Sequence, residues 1–189
     1  MSKKYIVGII GGISCGKTFA GHFFGNLGAG FIDCDKIVHK LYDKDGLGSK
    51  KIETFFGEEF INKDGSVNRT KLGIFVSKDE KKTRILEKII HPVVLNEIQK
   101  EIDKSDNKLI FIEINAPTEK FLNLCNKMIK ITSTKTLRNK PRYLLKIDKF
   151  KNLKIKTDFT VSNSFKTGDF ETKLASIYKN LLKSSHYKL

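Results

Sequence analysis

The stretch that most constrains this chain runs over residues 5–27. It reads YIVGII, then GGISCGKT, then FAGHFFGNL. Residues 5–10 are an almost unbroken apolar run, the pattern of a parallel strand buried on both faces. Gly11-Gly12-Ile13-Ser14-Cys15-Gly16-Lys17-Thr18 fits G-x-x-x-x-G-K-[ST], the phosphate-binding loop. The spacing has a chemical reason. Successive main-chain N–H groups must curl around phosphate oxygens, and glycine lets the backbone bend and approach that closely. The helix that follows points its positive end at the same anion. In this reading Gly12, Ile13, Ser14, Cys15, Gly16 and Phe19 offer main-chain groups. Lys17 reaches the β- and γ-phosphates, and the Thr18 hydroxyl binds a bridging Mg²⁺. The ligand expected is ATP with Mg²⁺.

With 189 residues and 39% hydrophobic content, the chain has material for one substantial α/β domain with an insertion. No apolar run approaches the ~18 residues a membrane span needs. The N-terminal MSKKYIVGII leads straight into the first strand, so no signal peptide is expected and the location is expected to be cytoplasmic. Cys15, Cys34 and Cys125 are odd in number and widely spaced, which argues against both a disulfide framework and a zinc site. Cys34 and Cys125 are expected to be small buried hydrophobes. Cys15, inside the loop, is expected to be a reactive thiolate held by the loop amides and Lys17.

A net charge of +15 suggests a nucleic-acid binder at first sight. Yet of 36 basic residues only Arg69, Arg84, Arg138 and Arg142 are arginine. The lysines are spread over nearly every segment rather than gathered on one face with aromatics, so no nucleic-acid partner is expected. Each arginine is correspondingly more informative about phosphate recognition.

Farther along, Gly28-Ala29-Gly30 reads as a glycine C-cap, and Phe31-Ile32 open a short second strand ending at Asp33-Cys34-Asp35. Carboxylates at the carboxyl end of such a strand face the crevice where α/β sheets bind ligands. One of Asp33 and Asp35 is suited to accept a proton from an attacking hydroxyl and the other to hold Mg²⁺, or one merely caps the helix over 36–42. Residues 46–104 read as interrupted helices. Ser77-Lys78-Asp79-Glu80 is a capping-box pattern, and His91-Pro92 is expected to break the helix it opens. Residues 109–114 (LIFIEI) form a third buried strand, with Glu113 placed to assist Mg²⁺. Residues 128–132 and 159–162 supply a fourth and a fifth. Arg138 and Arg142, four apart in a basic segment, suit a lid over phosphates. A closing helix opens at Asp169, with Phe170, Leu174, Ile177, Tyr178, Leu181 and Leu182 as its core stripe.

With these pieces placed, residues 5–165 resemble the dephospho-CoA kinase family. GIIGGISCGKT is similar to its GLTGGIGSGKS/T. Residues 31–39 resemble its DAD segment with the helix that follows. Gly65-Ser66-Val67-Asn68-Arg69, with Leu72 and Phe75, resembles G-x-(L/V)-(N/D)-R-x-x-L-x-x-x-(V/I)-F, and Leu86-Glu87 with His91-Pro92 resembles LE-x-I-x-HP. Arg138 and Arg142 resemble the lid R-x-x-x-R, and residues 158–163 the D-x-x-I-x-N near the last strand. The stretch D-x-P-L-L-x-E is matched only as Glu113-Ile114-Asn115-Ala116-Pro117-Thr118-Glu119, and the lid is short. The resemblance implies a three-layer α/β/α P-loop kinase fold with a mostly parallel five-stranded sheet. Its core would be 1–45, 105–137 and 151–189, its helical acceptor-binding insertion 46–104 and its lid 138–150. It implies ATP-dependent phosphorylation of the ribose 3′-hydroxyl of dephospho-CoA. Asp35 would be the base with Asp33 beside it, and Lys17 and Arg142 would support transfer. Arg69 and His91 would serve the acceptor, and Arg138 and Asn163 the nucleotide. Thr18, Asp33 and Glu113 would surround the metal. A monomer or weak homo-oligomer is expected. Another small-molecule kinase, a nucleotide-binding paralogue of weakened activity and a nucleic-acid module with a vestigial loop are the other readings.

Overall fold

The computed structural model describes residues 4–133, 155–164 and 168–183. Contacts divide them into two units, one of residues 4–33, 104–133, 155–164 and 168–183, the other of residues 34–103.

The first unit is built on a parallel five-stranded sheet. Its strands are β1 (Tyr5–Gly11), β2 (Gly30–Asp33), β3 (Leu109–Glu113), β4 (Lys127–Ser133) and β5 (Phe159–Asn163), in the spatial order β2-β3-β1-β4-β5. β1 is central, as its unbroken apolar run requires. Val7 and Ile9 are buried on one face, and Ile6 and Ile10 on the other. Gly8 fits because Met128 and Cys125 crowd it. A Cβ there would lie 2.6 Å from the Met128 sulfur.

Helices α1 (Lys17–Asn26) and α7 (Asp169–Lys183) cover the face that carries Val7 and Ile9. Phe24 of α1 stacks on Phe111 of β3 with ring centroids 3.9 Å apart. Of the expected stripe of α7, Phe170, Leu174, Ile177 and Leu181 are buried in this core, and Tyr178 and Leu182 pack against it partly buried. α1 ends as its glycines forecast. Gly28 takes φ 94°, its N–H bonds Gly25 O, and Ala29 N–H bonds Phe24 O, the two hydrogen bonds of a Schellman motif. Short α6 (Glu119–Asn123) links β3 to β4.

The second unit is helical, with α2 (Cys34–Tyr42), α3 (Leu47–Phe56), α4 (Arg69–Ser77) and α5 (Glu80–Lys104), and a 3-10 turn at Glu58–Phe60. Residues 62–65 form a turn: Gly65 N–H bonds Asn62 O, and the Asp64 carboxylate accepts from Ser66. Phe56, Phe60 and Phe75 pack edge-on or tilted against each other within it.

Two local expectations fail here. α5 does not stop at His91-Pro92 but runs 25 residues through the proline. Proline inside a helix costs about 3 kcal/mol. Ile89, Ile90, Val93, Val94, Ile98 and Ile102 are buried along the same helix, at about 1.5–3 kcal/mol for each side chain of this size. Burial outweighs the lost hydrogen bond. The Ser77 capping box is not formed either. α4 extends through Ser77, whose hydroxyl donates to Ile74 O. Asp79 does the capping, its carboxylate accepting from Lys81 N–H at 2.8 Å.

Candidate active site

The loop between β1 and α1 takes the backbone its sequence calls for. Gly16 sits at φ 104°, and a Cβ on it would lie 2.7 Å from the Asn163 amide nitrogen. Gly11 passes so near β4 that a Cβ would lie 2.3 Å from Ile131 O. Only glycine fits at either end of the motif. Ser14 adopts φ 56°, a left-handed value that a serine tolerates at some cost. Gly12 and Ile13 are exposed, so the outer rim of the loop is open to a ligand.

Behind that rim the polar groups are tightly engaged. Lys17, 7% exposed, donates to Gly11 O at 3.2 Å and Gly12 O at 3.0 Å, and lies 3.9 Å from a Glu113 carboxylate oxygen. Thr18 donates its hydroxyl to the other Glu113 oxygen at 2.8 Å. Its proton is thereby committed to Glu113, leaving oxygen lone pairs for another partner. Asp33, at the end of β2, stands in register beside Glu113 of β3. A hydroxyl and two carboxylates are hard oxygen donors, the set Mg²⁺ takes together with phosphate oxygens. Among the described residues no group of three or more His, Cys, Asp and Glu side chains is gathered for a metal. An ion here therefore needs the nucleotide's oxygens as well. Glu119 is exposed in the first turn of α6, whereas Glu113 is 3% exposed and bonded to Thr18.

Asn163, at the end of β5, donates to Cys15 O at 3.0 Å and so braces the loop from beneath. Phe19 is 48% exposed and stacks on Phe170 with centroids 5.8 Å apart. The expectation of a reactive Cys15 fails. Its sulfur packs inward against Gly11, and the residue is 2% exposed. Burial pushes the thiol pKa above its ordinary value, outweighing the pull of Lys17. Cys34 is buried as expected. Cys125 is only partly so, with its thiol pushed up to about 12 by burial.

The remaining candidates lie in the helical unit. Asp35 is exposed in the first turn of α2, where the helix dipole favours a carboxylate. Asp33 directly precedes that helix. Arg69 is the exposed first residue of α4, set there by Asn68, whose side chain accepts from Lys71 N–H. Its guanidinium meets His39 of α2, Nη1 lying 2.8 Å from Nδ1 and also contacting Nε2. His39 falls in the family-like stretch 31–39, but the sequence assigns it no role. Tyr42 is buried nearby, its phenol pushed up to about 12 by burial against the opposing pull of Arg69. His91 is half-buried on α5. Arg138 and Arg142 lie outside the described residues.

A family model described as dephospho-CoA kinase matches residues 5–144. A protein named dephospho-CoA kinase from Lactobacillus johnsonii is 29% identical over 94% of this chain and 98% of its own. Further curated relatives of that name align over about half of their length. Among solved structures, dephospho-CoA kinase from Campylobacter jejuni matches with TM-score 0.61 and 28% identity, over 94% of this chain and 97% of that one. TT1252 from Thermus thermophilus matches with TM-score 0.69 at 20% identity, over 95% and 97%, which speaks to the fold alone.

Proposed function

This chain belongs to the dephospho-CoA kinase family of phosphotransferases, and from that premise we propose that it transfers the γ-phosphoryl group of ATP to the ribose 3′-hydroxyl of dephospho-CoA. The observation that carries the reading is the buried pair Lys17 and Glu113, with the Thr18 hydroxyl bonded to Glu113, under an open glycine-rich rim. The loop amides and the start of α1 take the phosphate oxygens. Lys17 exchanges two carbonyl partners for phosphate, a stronger charge-assisted acceptor. Glu113 fixes the Thr18 hydroxyl, and Asn163 fixes the loop backbone. Thr18, Asp33 and Glu113 would hold Mg²⁺, which when bound neutralises charge on the phosphates.

In the transfer, the 3′-oxygen attacks the γ-phosphorus, the bond from that phosphorus to the β,γ-bridging oxygen breaks, and ADP leaves. Asp35 takes the proton of the attacking hydroxyl. Arg69 and His91 serve acceptor binding, and Arg138 and Arg142 the departing charge. The charge pattern favours no nucleic-acid partner. No described helix is long and apolar enough to cross a membrane. The working form is a cytoplasmic monomer or weak homo-oligomer.

A coupled ADP-release assay tests the reading. ADP release that rises steeply on adding dephospho-CoA, and not with nucleoside monophosphates or shikimate, is the expected result. Release indifferent to dephospho-CoA removes it.

A further inference from the structure

Among the described residues, one buried side-chain nitrogen has no hydrogen-bond partner. The side-chain nitrogen of Asn115 is shielded from solvent and meets no hydrogen-bond acceptor. Such a donor is costly to leave unpaired, and native proteins keep few. Its place in the fold suggests what would pair with it. On β3, Glu113 is in register with Ile9 of β1, and Ile114 N–H still bonds Ile9 O at 2.9 Å. β3 ends at Glu113, so Asn115 lies in the bend just past the strand, two residues beyond the carboxylate that meets Thr18 and Lys17.

The nearby loop carbonyls, Gly11 O and Gly12 O, already accept from Lys17. No acceptor meets the Asn115 nitrogen, and the adjoining loop is built to receive phosphate. We propose that Asn115 is a phosphate-binding residue, its amide donating to a terminal phosphate oxygen of the nucleotide in the loop. The proposal rests on the nucleotide-binding reading above and adds a donor that the motif did not indicate.

Titration calorimetry of the full chain with Mg-ADP and with Mg-AMP-PNP, beside ligand-free melting, tests it. Asn115→Leu removes both polar ends at similar size. It should melt no lower than the parent without ligand, yet bind AMP-PNP roughly tenfold more weakly. Asn115→Asp, which sets a carboxylate against phosphate, should lose more, and it carries the test if the leucine variant does not fold. Weakening of AMP-PNP alone assigns the contact to the γ-phosphate, and equal weakening of both nucleotides assigns it to the β-phosphate. Both variants binding within twofold of the parent would overturn the proposal while leaving the loop's function intact, including where melting falls and binding does not. A parent chain that binds neither nucleotide removes both readings.

Discussion

The two sets of candidate residues are held in different ways. Around the loop, Lys17, Glu113 and Asn163 are buried, and each is tied to a second element of the sheet unit. In the helical unit, Asp35 and Arg69 are exposed and His91 is half-buried. The contrast teaches a division of labour. The loop side is organised before any ligand arrives, and losses there cost binding and chemistry together. The helical-unit residues are less constrained by the fold, so substitutions there should spare folding and nucleotide affinity while removing turnover.

Substitution of Asp35 tests that contrast with the largest expected effect. Asp35→Asn should lower turnover by about 10²–10⁴, the usual contribution of a general base, with ATP affinity unchanged by calorimetry. Turnover at the parent rate would leave the base elsewhere. Lys17→Ala should cost about 10²–10³ in turnover, comparable to losing one preorganised donor, and should weaken ATP binding as well. Affinity kept intact would undo the distinction between the two sides. Glu113→Gln keeps a hydrogen-bond acceptor for Thr18 but loses the charge. A magnesium titration of the reaction should shift to higher Mg²⁺ by about 10–100-fold, with little change in melting temperature.

The smallest effect concerns the sheet away from the loop. Asp158 accepts from Lys127 at 2.7 Å and from Met128 N–H at 2.9 Å. Burial raises its pKa, but these partners outweigh it and hold the carboxylate below its ordinary 3.8. A depressed folded-state pKa stabilises above the unfolded value, and the gain is lost as pH falls through the folded one. Asp158→Asn should therefore lower the melting temperature by at most about 2–4 °C at pH 7, the scale of one partly exposed ion pair. The gap between the two proteins should close as the pH falls below 3.8 and on through the folded-state pKa. A gap that persists there would assign the effect to packing.

The sequence announced the loop side far better than the helical side, for physical reasons. β1 was readable because a central parallel strand is apolar at every position. The loop was readable because Gly11 and Gly16 admit no Cβ. Glu113 followed from its place at a strand end, and the α7 stripe from helical spacing. Cys15 misled because its neighbours in sequence suggest an anion nest, whereas the side chain turns inward and burial governs its titration. Pro92 misled because local propensity forecasts a break, while six buried aliphatics keep α5 continuous. Asp79 was passed over because a shift of two residues in the cap leaves the pattern nearly the same. The contact of His39 with Arg69 and the unpaired Asn115 nitrogen depend on tertiary placement, and no local pattern encodes them.

The most direct test of the central claim is ³¹P NMR of the full chain incubated with MgATP and dephospho-CoA. The expected result is a new phosphomonoester on the ribose 3′-position, growing in step with ADP and slowed about 10²–10³-fold by Lys17→Ala. ADP appearing with inorganic phosphate alone, or a phosphoryl group at any other position, would contradict it.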